Sequence, residues 1–139
     1  MNNLAILNPV FVVVFLTFAV AFWMGRQRLG AIGRGDVRMS HFRVRSADPV
    51  PPRVAQASNN YSNLLELPIL FYALAALMLV TEQADDWQVG LAWAFALSRV
   101  AHSLIHLTYN NVTHRFLAFA TGMVVLLVMW VRFLLQVGG

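Results

Sequence analysis

The sequence predicts an all-α protein, a four-helix bundle integral to a membrane, and three observations carry that prediction. Of the 139 residues, 59% are hydrophobic and only 12% are charged, well outside the averages of soluble domains. The hydrophobic residues gather into four blocks, Leu4 to Met24, Leu64 to Val80, Trp87 to Leu107 and Phe116 to Val137. These runs are unbroken rather than alternating, which excludes the strands of a membrane β-barrel. The length sets a single domain, residues 1–139, with spans at about 4–25, 55–80, 87–108 and 116–137.

A helix needs about 20 mainly apolar residues to cross the roughly 30 Å hydrocarbon layer, and the first, third and fourth blocks reach that length. The first block contains Ala19-Val20-Ala21, which resembles the cleavage site of a secretory signal. No basic residue precedes it, however, and hydrophobicity continues through Phe22 and Trp23, so it reads as a span. The second block is shorter and needs its polar lead-in, which predicts one continuous helix from about Ala55 to Val80.

Residues 26–54 form the only long connection. Glycines crowd its start and Pro49, Pro51 and Pro52 its end, so it reads as irregular. All ten basic residues are arginine, and seven lie between Arg26 and Arg53. The next connection carries Glu82, Asp85 and Asp86 and no basic residue. The positive-inside rule then places loops 26–54 and 109–115 in the cytoplasm and both termini outside, in a multi-pass membrane protein. Topology thus accounts for the net charge of +4. The arginines are read as partners of lipid headgroups or anionic substrates, with no nucleic acid involved. Between the third and fourth spans a short turn ends at Thr113, a plausible N-cap of the last helix.

The third span is unusual. Arg99, His102, Ser103 and His106 follow one another at i, i+3, i+4 and i+7, which is one face of a helix. A charged group at mid-span costs at least about 2.5 kcal/mol, so that stripe must face protein or a wet cavity. The second span has a matching stripe, Asn59, Ser62, Asn63 and Glu66. Both stripes fall in the cytoplasmic half, and Glu66 is expected to pair with Arg99. Such a pair serves equally as a lock between helices, because removing one partner of a buried pair typically costs about 3–5 kcal/mol.

The chain has no cysteine, which excludes disulfides and cysteine nucleophiles; any reactive thiol belongs to a substrate. His102 and His106 have metal-ligand spacing, but zinc wants two further ligands, so no metal site is assigned. Arg115, just beyond Tyr109, Asn110 and Asn111, has two readings. One is an interfacial anchor, and the other is a clamp for a carboxylate or thiolate at a helix N-terminus.

With "NLLELP" opening the second span and "SRVAHSLIHL" within the third, the chain resembles the MAPEG superfamily, membrane-associated proteins in eicosanoid and glutathione metabolism, in a bacterial branch. The motif residues are Asn63, Glu66 and Pro68, then Arg99 to His102, with Arg115 thirteen positions after that histidine. The resemblance implies a homotrimer of four-helix subunits that holds glutathione, as co-substrate, between neighbours near the cytosolic face. It implies that Asn63, Glu66 and His102 contact the tripeptide, Glu66 taking its amino group, and that Arg115 stabilises the thiolate. Arg99, Asn59, His106 and Tyr109 complete the expected substrate site, with His106 or Tyr109 as a secondary donor. Asn59 and Ser62 stand where many members are basic, and Pro68 follows Glu66 more closely than in better-known members.

The function implied is that of a glutathione S-transferase or peroxidase acting on lipophilic small molecules that enter from the surrounding lipids. Two alternatives stand beside it. One is a non-catalytic membrane protein that keeps the fold and its interhelical polar pairs. The other is a small transporter using Glu66, Arg99 and His102 as a relay.

Overall fold

The computed structural model describes residues 3–43 and 49–139, and Arg45 and the first residues of the proline-rich segment lie outside them. All regular structure in the described residues is helical. A 3₁₀ turn, Asn3–Ile6, leads into α1, Leu7–Gly33. Then come α2 (Pro52–Leu64), α3 (Leu67–Val80), α4 (Asp86–Leu107) and α5 (Val112–Gly138).

Helix α1 runs to Gly33, past the end expected near residue 25, so the first connection is shorter and less irregular than its glycines suggest. Tertiary contacts hold this extension. Ala31 is buried with Val37 and Val54, while Arg28 donates to Ser58 Oγ at 3.1 Å and covers the Phe42 ring at 5.2 Å. The chain then turns at Gly35, whose φ of 78° suits glycine, and Met39–Arg43 form another 3₁₀ turn.

The expected continuous second span is in fact two helices. Pro68 has no N–H for the Leu64 carbonyl, and its ring crowds that carbonyl. The backbone therefore breaks at Leu65 and Glu66, with Glu66 at φ −97° and ψ −90°. Pro52 opens α2 at a position that needs no N–H, and Pro51 before it is extended.

Among the described residues, three stretches are long and apolar enough to cross a membrane: Asn3–Gly33, Pro52–Val80 and Val112–Gly138. Helix α4 has the length, at 22 residues, but its polar stripe dilutes its hydropathy. It packs on α5, α1 and α2, so protein rather than lipid solvates that stripe. Around its other half lies the apolar core, where Phe71 and Phe95 stack with centroids 4.6 Å apart beside Leu74, Met78, Ala92, Ala96, Leu126 and Met129. Phe11, Phe15, Phe18 and Phe22 remain exposed along one face of α1, a pattern suited to lipid or a second subunit.

The last two helices are capped by side chains. Asp85 accepts from Gln88 N at 2.8 Å to start α4. Asn111, rather than the expected Thr113, caps α5 by accepting from His114 N at 3.0 Å. At this acidic end Asp85 also pairs with Arg132 and accepts from Gln136 Nε2 at 3.0 Å. Burial pushes the Asp85 carboxyl up, but the Gln88 and Trp87 N–H groups and the Arg132 guanidinium outweigh it and hold the group below its ordinary value. Asn3 closes the same end, donating to Leu79 O and accepting from Ala84 N, each at 3.2 Å.

Candidate functional site

The polar residues converge at the opposite, arginine-rich end, where α2 begins, α4 ends and α5 begins. Arg99, His102, Ser103 and His106 are all buried, with Arg99 1% exposed. The stripe thus faces the subunit interior, as its spacing predicts.

Arg99 is held by α5. Its Nη2 donates to Ala118 O at 3.0 Å and to Phe119 O at 3.3 Å, and its guanidinium sits between the Phe95 and Phe119 rings at 5.6 and 5.2 Å. Backbone carbonyls and ring faces meet the positive charge. Gly122 provides the room, because a Cβ there would lie 2.5 Å from Ser98 Oγ and 2.7 Å from Arg99 Nη2.

The expected Glu66–Arg99 pair does not form within the subunit. Glu66 lies in the break before Pro68, which swings it out of the α2 face, and it is exposed. Asn59 is exposed too, and Asn63 spends its amide on Asn59 O at 3.3 Å. The expected compensation of the α4 stripe by Asn63 and Glu66 is therefore corrected: α5 carbonyls meet Arg99 and His102, and Asn60 on α2 meets Ser103. Fully buried, Asn60 accepts from Ser103 Oγ at 3.2 Å. It stands in the same column as Val54, Ala57 and Leu64, the buried face of α2. An asparagine inside the most apolar column of that helix was the signal that identifies it.

His102 Nδ1 lies 3.1 Å from the Arg115 carbonyl. A carbonyl only accepts, so Nδ1 carries the proton and His102 fixes the first turn of α5 beneath Arg115. His102 Nε2 and His106 Nδ1 are buried without a partner among the described residues. Half-buried, Arg115 donates from Nη1 to Asn110 Oδ1 at 2.7 Å. Asn110 is itself left-handed, at φ 50°, which orients its side chain toward the helix that follows. Tyr109 is 62% exposed, its hydroxyl 2.9 Å from His114 Nδ1.

The expected site thus resolves into three groups at one end. Asn60, Arg99, His102 and Ser103 tie α2, α4 and α5 together inside the subunit, with His106 buried beside His102. Asn59, Asn63 and Glu66 look outward from the α2–α3 break. Tyr109, Asn110 and Arg115 form the α4–α5 turn, which His102 joins to the interior set.

A membrane helical bundle with a buried polar stripe on α4 leading to its arginine-rich end is the class that this fold and site define. A model of the MAPEG family matches residues 6–135, and the chain belongs to that family. No curated protein and no solved structure matches the chain.

Proposed function

We infer that the protein is a glutathione-dependent transferase or peroxidase of the inner membrane, acting on lipophilic electrophiles through a thiolate stabilised by Arg115. The observation that carries this reading is Glu66, an exposed carboxylate with no ion-pair partner among the described residues, at a break in an apolar span. An uncovered carboxylate facing hydrocarbon is costly, so a neighbouring subunit and a cationic ligand group would both relieve it. The α-ammonium of glutathione is such a group, and Asn59 and Asn63 beside it suit the peptide amides. A homotrimer supplies the second wall, and the arginine-rich end lies at the cytosolic face.

The mechanism is electrostatic. A free cysteine thiol with a pKa near 8.5 is about 3% thiolate at pH 7, and lowering it by two units makes it roughly three-quarters thiolate. That shift needs about 2.7 kcal/mol, within the reach of one desolvated guanidinium. Arg115 is already oriented by Asn110 on one side and by the His102 bond to its carbonyl on the other. The thiolate sulfur then attacks the electrophile, forming a carbon–sulfur bond as the leaving group departs or a proton is taken up. His106 or Tyr109 serves as a secondary donor.

A second reading has its own observation. The α4 stripe is bonded within the subunit, so Arg99, Ser103 and His102 are explained as structural ties, which favours a non-catalytic bundle. Thiolate absorbance of protein-bound glutathione, titrated against pH, separates the two. The transferase reading expects a thiol pKa well below that of free glutathione, raised in Arg115→Ala; an unshifted thiol overturns it.

A further inference from the structure

We propose that the cavity lined by Trp23, Arg53, Gln56, Leu107 and Thr108 binds a phosphate group, carried by a membrane phospholipid or free in solution. The cavity, about 290 Å³, lies where the second half of α1 and the end of α4 meet the start of α2. One water takes about 30 Å³, so the space suits a group of headgroup size.

Its chemistry selects an anion. Arg53 and Gln56 on α2 and Trp23 on α1 line it, each with N–H groups to donate, and no carboxylate is among the lining residues. None of the three has a hydrogen-bonding or ionic partner among the described residues. They are unspent donors around one space, and a guanidinium fork matches phosphate oxygens.

Its depth suits a lipid. Trp23 is the last aromatic residue of the α1 apolar run, three residues before Arg26, where an indole sits at headgroup level. Two other open grooves, along Leu127 to Gln136 and around Trp87 and Gly90, are mainly apolar and lie toward the acidic end. Neither Glu66 nor Arg115 lines this cavity, and the inference does not depend on thiol chemistry.

The test is native mass spectrometry of the detergent-purified protein titrated with phosphatidylglycerol or phosphatidylcholine, with inorganic phosphate followed separately by thermal shift. Arg53→Gln and Gln56→Leu are compared with Arg38→Gln, which removes an equal charge from an exposed loop position. A phosphatidylglycerol bound once per chain, weakened about tenfold in Arg53→Gln and unchanged in Arg38→Gln, supports a lipid phosphate. A phosphate-dependent shift lost in Arg53→Gln without selective lipid binding supports the same site with a free anion. Equal behaviour of wild type, Arg53→Gln and Arg38→Gln toward both ligands overturns the proposal.

Discussion

Arg99 lies directly on the bare backbone of Gly122, its Nη2 where a β-carbon would be only 2.7 Å away. The packing of α4 on α5 around Arg99 therefore depends on a missing side chain. Gly122→Ala is expected to lower stability by about 0.5–2 kcal/mol, since overpacking costs about 1–3 kcal/mol and the better helix former returns roughly 0.5–1. Gly25→Ala and Gly90→Ala meet nothing within 4 Å and should stabilise. Thermal unfolding of the three variants in one detergent checks the opposite signs.

Asn60 and Asn63 lie one helical turn apart on α2 and have different tasks. Removing Asn60 leaves Ser103 without its acceptor in a buried site, so Asn60→Ala should cost about 1–3 kcal/mol. Asn63 bonds only to its own helix. Asn63→Ala should stay within about 0.5 kcal/mol while weakening glutathione binding. Stability and affinity measured on both variants would show this crossing of effects.

Acid should loosen the opposite end of the bundle. The folded pKa of Asp85 lies below its unfolded value, so its contribution is complete above the unfolded value and is lost as pH falls through the folded one. Asp85→Asn should therefore lower the melting temperature near pH 6 and show a shallower decline toward pH 3. A variant with the same acid limb as the wild type would remove Asp85 from this role.

His102 bonds the Arg115 carbonyl, so in the proposed reaction it would act on Arg115 through the backbone. His102→Ala is expected to raise the pKa of bound glutathione by less than Arg115→Ala does, with binding of the tripeptide largely kept. A purely structural histidine would change the melting temperature and leave the thiol pKa alone.

Much of this organisation is legible in the sequence, and the exceptions have physical causes. The inward stripe from Arg99 to His106 follows from helical spacing and the cost of exposing charge to hydrocarbon. Its partner does not, because "VAQASNNYSNLLE" holds two overlapping columns, one through Asn59, Asn63 and Glu66 and one through Val54, Ala57, Asn60 and Leu64. Only the packing of α2 decides which column turns inward. Pro68 is visible, but whether a proline kinks or divides a span depends on its neighbours; here it divides the span and carries Glu66 outward. The extension of α1 to Gly33 rests on Ala31 and Arg28 meeting α2, contacts remote in sequence.

Glutathione binding to the detergent-purified protein, followed by calorimetry with Glu66→Gln and Arg115→Ala alongside, tests the central claim most directly. The account predicts saturable binding in the wild type, weakened in both variants while each stays folded. Folded wild-type protein that shows no heat of binding at millimolar glutathione would contradict it, leaving the outward face of α2 to contacts between subunits.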